Sequence, residues 1–341
     1  MAADRVAAAL ALKGVDSAGR GDDGPLRGLS LVIPAGVFCV ATGASGCGAS
    51  TLVRFVLDRQ GDALLVDPKA LGPRLSVYDN IARGLARRGA AASEVEARAL
   101  EAAQAMDLAP LLARATGGLS FEQRWRVAFA RALAHRPPLL AFDEPFAGAG
   151  PVWRRDLRGL MRRVHAETGA TVVAAFADPG EALALADLLV VLDRGEVLAA
   201  GAPLALYDQP PTAAVARLTG PFGINLLPVR ANQTGLSLET GATLGGASAM
   251  TTATFAVLGV RPEHLAPIGP EGEPPNGARL PLDVDRVEST GADTLLSGHV
   301  GPHPVTARVA GRIAAKAGER VVLGVRGEHL HMFDAETLTR L

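Results

Sequence analysis

The chain has 341 residues, of which 48% are hydrophobic and 20% charged, and its formal net charge at pH 7 is −1. This length suffices for two domains with separate cores. The near-zero net charge, with basic and acidic residues interleaved, excludes the electrostatic pattern of a nucleic-acid-binding protein. The first apolar run, VAAALAL at residues 6–12, is at the lower length limit of a signal-peptide core and lacks a clear cleavage site, so it is predicted to be a first buried strand.

Up to about residue 222, short apolar runs alternate with helical segments, which is typical of an α/β fold with a largely parallel sheet. The predicted strands are LSLVI, VFCVA, ALLV, PLLAF, TVVAAF and LLVVL. Helical spacing marks STLVRFVLD, SEVEARALEAAQAMDLAPLLARA and EQRWRVAFARALAHR. Residues 76–136 are therefore predicted to form a mostly helical subdomain.

After residue 222 the chain changes to short β-type runs separated by Gly, Pro and Asn, which predicts a small barrel or sandwich. The uncharged stretch at residues 241–260 is too rich in Thr, Ser and Gly to cross a bilayer. An internal repeat joins VLGVRPEHL at 257–265 to VLGVRGEHL at 322–330, with eight of nine positions identical. The repeat predicts two related β units, whose Arg and Glu residues we interpret as structural contacts.

The nine-residue stretch GASGCGAST, at residues 43–51, lies between a predicted strand and a predicted helix. Its glycines allow successive backbone N–H groups to surround an anion, and the helix that follows adds its positive end. Either Ser50 or Thr51 would supply a hydroxyl for Mg²⁺. The pattern is that of a phosphate-binding loop with Ala49 at the lysine position, although a glycine-rich turn without a ligand is the alternative.

The strand PLLAFDEPF ends in two adjacent carboxylates, Asp143 and Glu144. Asp143 could hold Mg²⁺ through water, and Glu144 could orient or deprotonate an attacking water. Acidic pairs after strands also serve as helix caps. The only cysteines, Cys39 and Cys47, are too few for a disulfide framework and favour a reducing compartment.

A phosphate-type loop, a helical insert, LSFEQRWRVAFARAL and LLAFDEPF follow one another in the order of the ATP-binding subunits of ABC transporters, which this chain resembles. LGPRLSVYDNIARGL at 71–85 resembles the stretch after that family's Q-loop, and residues 172–210 resemble its switch region. LGVRPEHL and the ending GEHLHMFDAETLTRL resemble the regulatory domain of the subfamily that energises carbohydrate and glycerol-phosphate importers.

The resemblance implies an α/β P-loop ABC ATPase domain at residues 1–222 with a helical subdomain, and an all-β, OB-like regulatory domain of TOBE type at 223–341. It implies ATP and Mg²⁺ as cofactors, whose binding the altered positions described below are expected to weaken, and Glu144 as the catalytic base. Metal binding falls to Ser50, Asp143 and Asp67. Nucleotide binding is assigned to Gly43, Ala44, Ser45, Gly46, Cys47, Gly48, Ala49, Ser50 and Thr51. The signature is formed by Leu119, Ser120, Phe121, Glu122 and Gln123.

Several positions depart from the family pattern. In the phosphate-type loop, Ala49 replaces the family's lysine, and Asp67 replaces the Q-loop glutamine. In the signature, Phe121 and Glu122 replace two glycines. Gly150 replaces an aspartate, and Ala177 replaces a histidine. Only 15 residues separate Thr51 from Asp67, so the small β-subdomain that normally lies there is predicted to be largely deleted.

The predicted protein is an ATP-binding subunit with impaired hydrolysis, located peripherally on the cytoplasmic face of the inner membrane. Its implied partners are two transmembrane permease subunits, a second ATPase subunit and, indirectly, an extracytoplasmic solute-binding protein. Both the phosphate-type loop and the signature of this chain carry altered residues. We therefore expect a heterodimer with an intact ATPase in preference to a homodimer. The alternatives are a non-hydrolysing structural or regulatory subunit and a gene product that has lost its transport role.

Overall fold

The computed structural model describes residues 10–19, 24–86, 89–232, 235–238, 255–269 and 277–341. The chain divides into two compact units, Met1–Pro203 and Leu204–Leu341. Residues 6–9 of the first predicted strand, and most of the uncharged stretch at 241–260, lie outside the described residues. Within the described ranges, no helix is both long enough and apolar enough to cross a membrane.

The first unit begins with a two-stranded antiparallel sheet of β1 (Leu10–Ser17) and β2 (Leu26–Ile33). A six-stranded sheet follows, in the order β4, β5, β6, β3, β7, β8. Its strands are β3 (Phe38–Gly43), β4 (Ala63–Leu65), β5 (Leu139–Asp143), β6 (Thr171–Ala175), β7 (Leu188–Asp193) and β8 (Glu196–Gly201). All neighbours are parallel except β7 and β8, and the central strands are continuous apolar runs buried on both faces.

In the part of the first unit that the structure describes there are six α-helices. They are α1 (Ala49–Arg59), α2 (Val77–Ala82), α3 (Ala92–Ala105), α4 (Phe121–His135), α5 (Pro151–Thr168) and α6 (Pro179–Leu185). The helical segment predicted for residues 93–115 is shorter than expected, because α3 ends at Ala105. Asp107 adopts a left-handed backbone with φ 58, and Pro110 then lies in a 3-10 turn, so the α-helix cannot continue.

The connection between α1 and Asp67 contains only the three-residue strand β4. Its seven residues, 60–66, are all described and form no antiparallel pair. The predicted loss of the small β-subdomain at this point is therefore consistent with the fold. As a result, the chain passes directly from the helix after the phosphate-type loop to the edge of the main sheet.

The described residues of the second unit form two short helices and two antiparallel sheets, in the orders β10-β9-β11-β17 and β12-β16-β13-β14-β15. The helices are α7 (Pro203–Asp208) and α8 (Ala213–Thr219). The strands are β9 (Asn225–Asn232), β10 (Gly235–Leu238), β11 (Phe255–Val260), β12 (Ala266–Pro267), β13 (Ala278–Ser289), β14 (Asp293–Val300), β15 (His303–Ala310), β16 (Arg320–Val325) and β17 (Leu330–Asp334). Both sheets contribute to one core, in which Leu258 and Leu323 are fully buried, so the predicted β architecture is present.

The contact boundary before Leu204 lies earlier than the predicted domain boundary at 222. Residues 204–222 belong with the second unit because Ala213 and Ala216 on α8 pack against Val257 and Phe333 of the sheet. These apolar contacts join residues that are more than forty positions apart, so local composition gave no sign of them.

The two copies of the repeat adopt the same local structure. Each is a strand, β11 or β16, followed by a 3-10 turn, Pro262–His264 or Gly327–His329. The two strands lie in different sheets, and the repeat-related rings of His264 and His329 stack with centroids 3.9 Å apart. The repeat is therefore structural, with its equivalent histidines in contact.

Candidate functional site

The phosphate-type loop joins the end of β3 to the first residue of α1. Gly46 and Gly48 have φ values of 75 and 101, a left-handed conformation that side chains rarely tolerate. The Cys47 N–H donates to the Ala44 carbonyl at 2.9 Å, and the Gly195 N–H donates to the Cys47 carbonyl at 2.9 Å. The loop thus has a defined conformation that depends on its glycines.

Close packing explains why the first residue of the loop, Gly43, is a glycine. A Cβ atom at Gly43 would collide with the Leu192 carbonyl oxygen and approach the Cys47 Sγ to 2.9 Å. The Thr51 hydroxyl donates to the Gly24 carbonyl at 2.7 Å, and the Thr51 side chain is buried. Of the two candidate metal hydroxyls, Ser50 therefore remains available, whereas Thr51 anchors the loop.

A cavity of about 410 Å³ lies over the loop, within the size range of small-ligand sites. Its walls are the loop residues 43–50 together with Glu144, Phe176 and Ala177. Backbone amides and the N-terminal end of α1 can bind an anion here. None of the residues that line the cavity carries a basic side chain, so a bound phosphate would be held by dipoles alone.

The two predicted carboxylates differ in their surroundings. The Asp143 Oδ2 accepts from Arg54 Nη2 at 3.3 Å, while its buried Oδ1 has no hydrogen-bond partner among the described residues. Glu144 lines the cavity in a left-handed conformation with φ 48, which is uncommon for a residue other than glycine and typical of functional sites. Burial raises the pKa of Glu144, helped by Asp143 and Asp178 and opposed by a hydrogen bond with the Ala177 backbone. A raised pKa suits a general base.

Asp67 does not line the cavity over the loop. Its Oδ1 accepts from the Lys69 N–H at 2.8 Å, which caps the 3-10 turn Pro68–Ala70, and its side chain lines a neighbouring cavity. Throughout the described ranges, no group of three or more His, Cys, Asp and Glu side chains could hold a metal ion. A metal at this site would therefore need ligand oxygens in addition to Ser50 and Asp143, and the metal role of Asp67 stays a prediction.

The signature residues form the start of α4 and do not line the loop's cavity. Ser120 and Gln123 make a capping box, with the Gln123 N–H donating to Ser120 Oγ at 3.2 Å and the Ser120 N–H donating to Gln123 Oε1 at 3.0 Å. Leu119 is buried, whereas Phe121 and Glu122 are exposed. The spacing S-x-x-Q is a known sign of such a cap, so this part of the geometry could have been read from the sequence.

Arg154 is a residue that motif comparison missed. Its Nε donates to the Ala149 carbonyl at 3.1 Å, and its Nη1 donates to Asp178 Oδ2 at 3.2 Å. It therefore connects the segment before Gly150 to the segment after Ala177, two of the positions at which the sequence departs from the pattern that it resembles. The sequence pattern that could have indicated its role is the pair of arginines four residues apart on α5, at 154 and 158. In the structure, both side chains reach Glu181.

Glu181 offers a stability test of this connection. Its side chain is 6% exposed and accepts from Arg158 Nη1 at 2.8 Å, with Arg154 at 3.6 Å. We expect Glu181→Gln to destabilise the first unit by about 1–3 kcal/mol, because two guanidinium groups lose a buried charged acceptor. Denaturant unfolding followed by tryptophan fluorescence reports this unit, which contains both Trp125 and Trp153.

The matched control is Glu167→Gln, which breaks the half-exposed ion pair with Arg163 on the same face of one helix. An exposed pair of this kind is worth about 0.3–0.5 kcal/mol. Equal losses from the two substitutions would contradict the assignment.

Comparison with known proteins places these features in a family. The family model of the ABC transporter domain matches residues 26–147, and that of the TOBE domain matches residues 258–333. The sn-glycerol-3-phosphate import ATP-binding protein UgpC of Cupriavidus pinatubonensis is 34% identical, covering 98% of this chain and 99% of the relative. The protein of the same name from Burkholderia thailandensis is also 34% identical, covering 97% of this chain and 98% of the relative.

A solved structure has a similar fold over part of the chain. The cbiO1 protein from Clostridium perfringens, described as part of the ABC transporter complex cbiONQ, is similar with a TM-score of 0.52. The match covers 60% of this chain and 92% of that one, at 24% sequence identity. At that identity the likeness concerns the fold.

Proposed function

Because the chain belongs to the family of ABC transporter ATP-binding proteins, we propose that it is the ATP-binding subunit of an ABC importer for a carbohydrate, polyol or glycerol-phosphate solute. The observation that carries the proposal is the intact loop geometry over a cavity of about 410 Å³, in a chain that is similar along its whole length to glycerol-3-phosphate import proteins. The solute itself would be selected by other subunits.

ATP and Mg²⁺, which the family implies, fit the residues present. The loop amides and the N-terminal end of α1 can hold the phosphates. Ser50, which lines this cavity, would hold Mg²⁺, and Asp143, which lines the neighbouring cavity, would hold it through water; the ion would neutralise phosphate charge when bound. Glu144 would orient a water for attack, since it lines the same cavity and burial raises its pKa.

We propose that hydrolysis is impaired more than binding. A charge-assisted contact of the kind that Ala49 cannot make is worth about 1.5–3 kcal/mol. The charge that develops on the γ-phosphate needs such groups most in the transition state, and Ala177 and Gly150 supply none. In a head-to-tail dimer, Glu122 would also place a carboxylate near the partner's nucleotide.

The proposed assembly contains two permease subunits, a solute-binding protein that acts through them, and a second ATPase subunit. A peripheral position on the cytoplasmic face of the inner membrane follows from this role. The preference for a heterodimer with an intact ATPase rests on the altered residues of this chain, since a homodimer would contain two altered sites. Mass measurement of the complex purified with its permeases distinguishes the two assemblies.

The second candidate is a non-hydrolysing structural or regulatory subunit, favoured by the absence of a basic side chain among the residues that line the cavity. Calorimetric titration with Mg-ATP separates the candidates. We expect measurable heat and a raised unfolding temperature at millimolar Mg-ATP, because a ligand bound to the folded state stabilises it. No heat and no stabilisation would favour the structural subunit, and a full-strength ATPase rate from the purified protein would contradict impaired hydrolysis.

A further inference from the structure

The two copies of the internal repeat meet through a pair of histidines in the second unit. His264 ends the turn after β11, and His329 ends the turn after β16, so each copy contributes one ring. The rings stack with centroids 3.9 Å apart and an interplanar angle of 25°. Since β11 and β16 lie in different sheets, this contact joins the two sheets. We call the two turns, 262–264 and 327–329, with their stacked rings the histidine joint.

His264 has surroundings that suit the neutral imidazole. Its Nδ1 is buried and has no hydrogen-bond partner among the described residues. A neutral ring can leave one nitrogen as an unused acceptor, whereas a protonated ring carries an N–H on both nitrogens and would bury a charged donor without an acceptor. The ring also packs at right angles to that of Tyr207, with centroids 6.2 Å apart. Protonation of His264 therefore has a cost in the folded state that the unfolded chain does not have.

His331, two residues after His329, is a second histidine that the fold keeps neutral. Its side chain is 3% exposed, and its Nδ1 accepts from Arg340 Nη1 at 3.3 Å. An arginine can only donate, so this nitrogen must be unprotonated for the bond to form. Burial, Arg261 and Arg340, and to a smaller extent the two stacked histidines, lower the pKa of His331 to about 4. Protonation would place two donors face to face.

The charged groups near His264 oppose a proton on balance. Burial is the main cause that lowers its pKa, and His329 and the buried guanidinium of Arg261 lower it further. Glu263 and Asp208 act in the opposite direction without reversing the shift. The neutral form is therefore favoured by desolvation and by neighbouring positive charge together.

Two further elements bring charges to the joint. Glu328 Oε1 lies 3.6 Å from His329 Nε2, so a charge on this ring would have a counter-ion, and a second charge on the stacked ring would face it across 3.9 Å. The strand β15 packs against the first turn of the joint and carries His303 and Arg308. Arg308 is paired with Asp293 at 2.7 Å.

We propose that the histidine joint is an acid-sensitive contact, closed while its imidazoles are neutral and opened by mild acidification, so that the second unit changes conformation with pH. Between the ordinary histidine pKa of 6.5 and about pH 4, the folded state binds fewer protons than the unfolded chain. The stability of the second unit therefore decreases as the pH falls through this range, and this contribution is absent below it. The inference does not depend on nucleotide binding by the loop.

Hydrogen exchange of the full-length protein, resolved by mass spectrometry at about pH 7.5 and about pH 5.5, tests the joint once the pH dependence of intrinsic exchange is corrected for. We expect protection of the two turns and of the adjoining ends of β11 and β16 to fall at the lower pH. The expected fall is about tenfold for each histidine that the closed joint keeps neutral. Protection of β3 and β6 in the first unit is expected to stay the same.

Matched substitutions assign the effect to these rings. His264→Phe keeps an aromatic ring in the stack but cannot be protonated, so about tenfold less protection should be lost at the lower pH. His331→Asn offers an amide oxygen to Arg340 in place of Nδ1, and the same reduction is expected. The control is His299→Phe, which removes a half-exposed histidine of the same unit that pairs with Asp285 at 2.6 Å. It should leave the pH dependence of the joint unchanged.

Three exchange results would overturn the inference. They are equal protection of the joint at the two pH values, an equal loss of protection in the six-stranded sheet, and equal effects of the His264→Phe and His299→Phe substitutions. Imidazole NMR of the unaltered protein gives a test that requires no variant to fold. The chain has seven histidines, and titration of all seven near pH 6.5 would show that none is kept neutral. Loss of Mg-ATP binding would leave each of these results unaffected.

Discussion

Ala49→Lys is expected to tighten Mg-ATP binding by about tenfold to a hundredfold, the equivalent of one charge-assisted contact to phosphate. Ala49 is the first residue of α1, lines the cavity of about 410 Å³ and is half-buried, so a lysine there would extend among loop amides that have no cation beside them. Isothermal titration of the purified variant and of the unaltered protein measures the change.

The matched control is Ala44→Lys, which adds the same charge at an exposed position of the same loop. A rise of less than about threefold is expected there, since an exposed charge is screened by solvent. If both variants gained affinity equally, net charge and not contact with phosphate would be the cause. We expect hydrolysis to rise less than binding in Ala49→Lys, because Gly150 and Ala177 are unchanged.

Arg261→Met is expected to destabilise the second unit by about 1–3 kcal/mol, the range for leaving buried hydrogen-bond acceptors unsatisfied. Arg261 is fully buried, and its Nη atoms donate to the Ala216 carbonyl at 3.1 Å, the Tyr207 carbonyl at 2.8 Å and Thr219 Oγ1 at 3.1 Å. Its guanidinium also lies 3.8 Å from the centre of the Tyr207 ring. Methionine fills part of the volume but leaves three acceptors without a donor.

The internal repeat supplies the control for this substitution. Arg326 occupies the equivalent position in the second copy, yet its side chain is 63% exposed and pairs only with Glu328, at 3.4 Å. Arg326→Met should change stability by less than about 0.5 kcal/mol. Hydrogen exchange of the β11 and β16 amides, resolved by mass spectrometry, reports the second unit directly. Similar losses of protection in the two variants would contradict the distinction.

Arg261 and Arg326 show what could not be predicted from the sequence. Both arginines follow the string VLGV, and within the nine-residue repeat their surroundings differ only in the next residue, Pro262 or Gly327. Their burial differs because β11 and β16 lie in different sheets, and because the acceptors of Arg261 come from α8 and the end of α7, about forty to fifty residues away along the chain. Such nonlocal packing is not encoded in a short window of sequence.

The loop and the strands were predictable for a physical reason. A buried parallel strand must be a continuous apolar run, and a loop that brings backbone amides together must contain glycine at left-handed positions. Asp67 shows the limit of motif alignment: it takes the position of a family glutamine, but an aspartate before Pro68 can close its own turn, and its carboxylate does so. The Ser120–Gln123 cap was readable from its spacing, whereas the contacts of Arg154 required the folded structure.

The anchoring of the phosphate-type loop has a consequence for how a ligand would bind. The loop is tied to the β7–β8 turn through Gly195 and to the segment before β2 through the Thr51 hydroxyl, and neither tie involves Ala49. A ligand that enters this cavity would therefore meet a preorganised surface and lose little conformational entropy of the chain. The alanine at position 49 thus leaves the shape of the loop in place.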